Sequence, residues 1–299
     1  MSKRSTGIAL ALVTATISGF AVFLNGYAIK RFDDATAYTT AKNGVAAVLL
    51  ILLALPVLTR SGRPGSRPRT RRQWLGLAAV GVIGGSVPFV LFFEALARAS
   101  STEAAFIHKT LVIWVALLAV PLLGERLSWA HWAAIALLIV GQAVLVGDAG
   151  TVSVGSGELM ILGATLLWSV EVVLVKHLLA SLAAPILAAA RLGIGLLVLL
   201  GFVALSGRWS ELTGFGAEQW GWVLLTGVIL TGYVATWYAA LARAQAVDVT
   251  AVLVLAAIVT ALLNAGYAGA SLDVLGLGLI AAGGALIALR ALRPTPVPA

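Results

Sequence analysis

The chain has 299 residues, of which 61% are hydrophobic and only 11% charged, with a formal net charge of +8. A soluble domain carries about 25% charged and about 45–50% apolar residues; the apolar excess here is too large for one water-soluble core, and the mean hydropathy of +1.03 makes the bilayer the solvent. The chain has no cysteine, which excludes disulfides and thiolate metal sites.

In hydrocarbon the backbone must satisfy its own hydrogen bonds, which leaves helices and closed barrels. Barrel strands would read as short alternating segments. The apolar runs here instead last about 20 residues, the length at which a helix crosses a core of about 30 Å. Ten spans are predicted, near 7–29, 35–58, 74–95, 102–122, 130–147, 157–176, 184–206, 219–241, 246–268 and 272–291. The first follows Lys3 and Arg4 and imitates a secretory signal, with Ala35-Thr36-Ala37 in place of a cleavage site. Its apolar run exceeds the roughly 7–15 residues of a signal core, and the charged stretch 30–34 intervenes, so it is expected to stay as a span.

Orientation follows from the basic residues between the spans. With the N-terminus inside, one face collects thirteen Lys and Arg side chains (3, 4, 60, 63, 67, 69, 71, 72, 126, 176, 243, 290 and 293) and the other only Lys30, Arg31, Arg98 and Arg208. The positive-inside rule therefore puts both termini in the cytoplasm and the chain in the inner or plasma membrane. The arginine-rich stretch 60–72 reads as a topology anchor beside anionic lipid, not as a nucleic-acid site.

The chain repeats itself. Ala95-Leu96-Ala97-Arg98-Ala99 recurs as Ala240-Leu241-Ala242-Arg243-Ala244, each followed by an acid, Glu103 or Asp248. Gln73-Trp74 recurs as Gln219-Trp220, Gly81-Val82 as Gly227-Val228, and Lys42-Asn43-Gly44 aligns with Arg191-Leu192-Gly193, at offsets of 145, 146 and 149. The halves are 1–148 and 154–293, joined by a link at 149–153 and followed by a tail at 294–299. Five spans per half means that the second copy enters from the opposite face, the inverted-repeat pattern of secondary transporters.

The stretches Phe93-Glu94-Ala95-Leu96 and Pro121-Leu122-Leu123-Gly124-Glu125-Arg126-Leu127-Ser128, with Gly141, Trp168 and Lys176, resemble the drug/metabolite transporter superfamily, specifically proteins with two EamA domains. The second copy departs from the pattern: Gly266 stands for the proline and Gly269-Ala270 for Gly124-Glu125. The resemblance implies a ten-helix basket with spans 1–4 and 6–9 around a central cavity, spans 5 and 10 at the periphery, and export of amino acids or other small metabolites.

A mid-bilayer charge costs about 2.5–3.5 kcal/mol on insertion scales, so each should face protein or water. The candidates are Lys42, His108, Lys109, Glu171 and Arg191; Glu94 lies near a span end. Glu171 is the deep acid, a candidate proton carrier, with Lys109 or Arg191 as candidate mates. The basic excess favours a substrate with a carboxylate or phosphate, and an amino acid fits if Glu171 meets its ammonium. Trp114, Trp168, Trp237 and Tyr238 lie deep enough to line a cavity, and Asn43 and Asn264 either bridge helices or touch substrate. Trp74, Trp129, Trp132, Trp209, Trp220 and Trp222 read as interfacial belts, with His131 at a span edge beside them. No Gly-Lys-Ser/Thr phosphate loop, His-Glu-x-x-His or Gly-x-Ser-x-Gly motif occurs. The expectation is thus an all-α integral membrane protein, without cofactor or metal, that exports a small-molecule substrate by alternating access. An organophosphate or nucleotide-sugar transporter and, from another class, an intramembrane lipid-handling enzyme using Glu171 and His108 are the alternatives.

Overall fold

A computed structural model describes residues 2–59, 65–96, 101–146 and 155–292. Arg60, Arg63, Arg98, Asp148, Arg293, the 149–153 link and the 294–299 tail lie outside the described residues. Every regular element among the described residues is helical. The first half holds α1 (Lys3–Ala28), α2 (Ala35–Thr59), α3 (Arg71–Gly85), α4 (Val87–Leu96), α5 (Ser101–Lys109), α6 (Leu111–Leu123) and α7 (Trp129–Val146). The second holds α8 (Ser156–Leu178), α9 (Ala184–Leu205), the short α10 (Trp209–Thr213), α11 (Ala217–Leu241), α12 (Ala246–Leu253), α13 (Ala256–Ala268) and α14 (Val274–Leu292).

Local chemistry sets the ends and breaks. Ser2 caps α1 by accepting from the Ser5 amide at 3.1 Å, and Thr70 with Gln73 forms a capping box on α3. The third predicted span breaks at Ser86, whose hydroxyl turns back onto the carbonyls of Gly81 and Val82. Two residues on, Pro88 has no N–H to offer, so the Gly84 carbonyl four residues back loses its helical donor. The fourth and ninth spans break at matching places, after Lys109 and after Leu253. They also end alike: Gly124 and Gly269 both sit at φ 65° and close the last turn onto Ala119 and Asn264. This left-handed glycine is kept in the second copy although its proline and acid are not.

Among the described residues, eight helices are long and apolar enough to cross a membrane: Lys3–Arg31, Ala35–Thr59, Arg71–Ala95, Phe106–Leu123, Ser156–Leu178, Ala184–Leu205, Ala217–Leu241 and Ala246–Ala268. The predicted fifth and tenth spans are shorter apolar helices, Trp129–Leu145 and Val274–Arg290. At about 1.5 Å per residue these reach only about 26 Å, just under the usual core thickness.

Helix pairing follows the small residues. α7 packs on α14 and α2 on α9; α1 lies against α11, α12 and α13, and α8 against α3, α4, α5 and α6. A Cβ on Gly7 would strike Ala244, while Arg31 pairs with Glu218 at 2.9 Å, so α1 and α11 run antiparallel. Gly85 and Gly195 meet backbone to backbone, and a Cβ on Gly85 would collide with the Arg191 carbonyl. Gly141 and Gly276 bring α7 and α14 together in the same way. Large apolar side chains such as Leu53 and Leu197 are exposed on the outer face, as a lipid-facing surface requires. Of the tryptophans expected at interfaces, Trp74, Trp129, Trp132, Trp209 and Trp220 are exposed, whereas Trp222 packs onto a cluster of Ala28, Phe32, Tyr38 and Val223.

Candidate functional site

The helices enclose a cavity of about 820 Å3. Its walls include seven of the nine residues expected at a binding site: Lys42, His108, Lys109, Trp168, Glu171, Arg191 and Trp237. Asn264 also lines it. Its rim carries Lys30, Ala270, Ser271 and Asp273, so it opens at the face where α1 ends and α14 begins.

Glu171 lies in the best-tied polar cluster. Its Oε1 accepts the Tyr238 hydroxyl, and its Oε2 lies 3.5 Å from Arg191 Nη2. The Arg191 Nε donates to the Gly84 carbonyl at 3.3 Å, and the Trp168 indole donates to the same oxygen at 3.1 Å. That oxygen is the one Pro88 leaves without a helical donor, so a proline in α4 creates the acceptor that positions a cavity tryptophan and arginine. Gly84 must be glycine here, because a Cβ would run into the Glu171 side chain. Arg191 also lies 5.9 Å from the Phe89 ring centre.

Lys42 is tied more weakly. Asn25 fixes its amide by donating to the Ala21 carbonyl at 2.6 Å. Its Oδ1 then accepts from Lys42 at 3.1 Å and from the Tyr38 hydroxyl at 2.7 Å. The ammonium also lies 4.8 Å from the Phe93 ring centre. Lys109 has no hydrogen-bond or ion-pair partner among the described residues. Next to it, the His108 ring meets Trp168 edge-on at 4.9 Å, and its Nδ1 has no partner either.

Two expected site residues are not in the cavity wall. Trp114 instead donates to the Thr110 hydroxyl at 3.0 Å and braces the break between α5 and α6. Asn43 is fully buried, one turn from Thr39, and neither residue's side-chain polar atoms has a partner among the described residues. The next residue on a helix is rotated about 100° around the axis, so Lys42 in the cavity takes Asn43 out of it. Tyr238 reaches the site only through Glu171. Sequence reasoning missed Asn25, Thr226, Tyr233 and Gln142, which all line the cavity. Gln142 belongs to α7, so the fifth predicted span, expected at the periphery, contributes to the wall.

A second polar cluster lies at the other ends of the helices, outside the cavity wall. Asp248, fully buried, accepts from Arg4 at 2.9 and 3.2 Å and lies 3.2 Å from His131 Nε2. His131 is 1% exposed, not interfacial as its place at a span edge suggested. Its Nδ1 turns back onto Ser128 at the start of α7. Glu125 accepts the Ala246 and Val247 amides at 2.6 and 3.2 Å, capping α12. Burial pushes the Glu125 carboxyl up, and the two amide donors and Lys176 pull it back. Lys176 donates to the Leu241 and Ala244 carbonyls at 2.9 and 2.7 Å, holding the end of α11. At the open face, Arg208 pairs with Asp34 at 3.3 Å and with Glu94. The bond to Glu94 holds the Arg208 guanidinium above the ordinary arginine value.

A chain of this hydropathy, helical throughout its described residues and with eight membrane-length helices among them around a cavity holding charged side chains, is a multi-pass membrane protein. It belongs to the EamA-like transporter family, whose model matches it twice, over residues 5–147 and 155–289. Among 29 solved chains that match, one described as "Crystal structure of protein" superposes with a TM-score of 0.71 at 20% identity, covering 97% of this chain and 99% of that one. At that identity the likeness speaks for the fold alone. No curated protein matches the chain.

Proposed function

We propose that the protein is a secondary transporter that exports small polar metabolites, amino acids or similar solutes, across the inner or plasma membrane by alternating access. Its ten helices cross the membrane as two inverted halves, with both termini in the cytoplasm. The helix contacts support the inversion, because exchanging the halves leaves most of the helix pairings in place. α1 on α11 becomes α8 on α3 and α4, α1 on α12 and α13 becomes α8 on α5 and α6, and α7 on α14 maps onto itself. The cavity, open at the Lys30 face and closed at the Arg4 face by Asp248, Glu125 and Lys176, has the form of one of the two access states. On the charge count the closed face is the cytoplasmic one, so this state faces outward.

The observation that carries the proposal is the pairing of an 820 Å3 charged cavity with a seal at one end only. The buried charges alone would allow an enzyme, but an enzyme has no need of two interchangeable access states. Counterflow in proteoliposomes tests the reading: intact labelled solute should accumulate against unlabelled solute inside. Chemical conversion of the solute, or no exchange across a panel of amino acids, organic acids and organophosphates, overturns it.

A further inference from the structure

We infer that the cavity is built for an organic anion with a flat apolar body, and not for an amino-acid zwitterion or an amine; the inference rests on the transport reading, keeps its small polar metabolites and sets the amino acids among them aside. Among the described residues, the Lys, Arg, Asp and Glu side chains of the cavity wall are Lys30, Lys42, Lys109 and Arg191 against Glu171 and Asp273. An ammonium would need a carboxylate with room for it, and neither acid offers one. Glu171 is 1% exposed and has both oxygens engaged, one by Tyr238 and one by Arg191. Asp273 stands at the exposed rim, where it caps α14 by accepting the Gly276 amide at 2.8 Å.

The cations are in the opposite position. Lys109 has no partner among the described residues, and Lys42 has only the neutral oxygen of Asn25. Two ammonium groups in the cavity wall, Lys42 buried and Lys109 half-buried, have no carboxylate among the described residues; they are an unbalanced charge, and an anionic ligand is what balances it. A carboxylate or a phosphate meets that need equally. Between the two lysines the wall is aromatic: Phe93 lies under Lys42 and touches Phe92, whose centre is 5.7 Å from Trp168. An apolar ring placed against these side chains would set its acidic group beside one of the lysines.

The test uses probes that share a phenyl body and differ in charge: 3-phenylpropionate, phenylphosphonate, L-phenylalanine and phenethylamine. Each is titrated against the purified full-length protein while its melting temperature is followed. Millimolar 3-phenylpropionate or phenylphosphonate should raise the melting temperature, and whichever acts more strongly identifies the acid group. Phenylalanine should bind at least tenfold more weakly and phenethylamine should give no shift. Lys42→Gln and Lys109→Gln should each weaken anion binding at least tenfold, and the ligand-free scan of each variant shows directly whether it is folded. Binding of phenylalanine or phenethylamine as tight as that of the anions overturns the inference. So does anion binding unchanged in both folded lysine variants, or no shift with any probe. Anions that bind in this assay but fail to exchange in counterflow would support the site's charge preference while refuting transport, so the two failures are separable.

Discussion

The buried Asp248 makes a direct test of the closed face. Its carboxylate is fully buried and takes two hydrogen bonds from Arg4 and one from His131. Asp248→Asn keeps the shape and one acceptor oxygen but removes the charge. Removing one member of a buried pair costs about 3–5 kcal/mol. Arg4 is 29% exposed and recovers some hydration, so the low end, about 3 kcal/mol, is the better figure. On the alternating-access reading these bonds break when this face opens, so the loss falls on the closed state and shifts its balance with the opposite state by roughly a hundredfold. An opposite state present at about 1% would then rise to about half the molecules. Because the chain has no cysteine, Ala261→Cys in the cavity wall reports access without background. A membrane-impermeant thiol reagent applied at the Arg4 face should label it up to about fiftyfold faster in Asp248→Asn, while labelling from the Lys30 face falls by about half. Arg4→Gln should act in the same direction but less. Unchanged labelling from both faces would refute the reasoning, and equal acceleration from both would show general loosening instead of a released seal.

Two further predictions concern the packing and the buried pair. Gly85→Ala should lower the melting temperature by an amount corresponding to about 3 kcal/mol, because the added methyl meets backbone atoms of Arg191 and Gly195 that have little room to yield. Gly221→Ala, where nothing lies within 4 Å, should leave it nearly unchanged; equal effects of the two in thermal scans would contradict the close approach of α3 and α9. Glu171→Gln and Arg191→Gln should each destabilise by about 3–5 kcal/mol through the uncompensated partner, and Glu171→Gln with Arg191→Met should cost less than the sum. Strict additivity, or a stable Glu171→Gln protein whose transport no longer responds to pH, would instead restore Glu171 as a proton carrier.

The spans were legible because hydropathy is a one-dimensional property, and helix length converts it directly into depth. Lys42, Lys109 and Arg191 were legible for the same reason: depth alone makes a charge costly to leave facing lipid. Azimuth was not legible. Whether a residue faces the cavity or a neighbouring helix depends on packing, which is why Asn43 and Trp114 were grouped with Lys42 and Trp168 while Asn25, Tyr233 and Gln142 were passed over. The mate of Glu171 was left open between Lys109 and Arg191, since the choice depends on the approach of α9 to α8 across Gly84. Pro88 carried a readable signal there: a proline inside a span frees a carbonyl, and a freed carbonyl in hydrocarbon needs a donor. His131 was misread because its partner, Asp248, is 117 residues away in the chain.

The departure of the second copy from the first has a physical consequence. Gly124 and Gly269 show the two halves to be in register at an offset of 145, with the same left-handed turn in each. In the first half the next residue is Glu125, whose carboxylate caps α12 and helps close the Arg4 face. In the second half the next residue is Ala270, which has no acceptor to offer and lines the open rim. The same offset carries His131, the partner of Asp248, to Gly276, which has no side chain. A fold whose halves share most of their helix pairings is therefore given two unequal faces by a few side chains. The face with the carboxylate and the imidazole is sealed, and the face with alanine and glycine in their places is open. On this argument the resting conformation is set less by the helix packing, which the halves share, than by these substitutions at the two turns, which they do not.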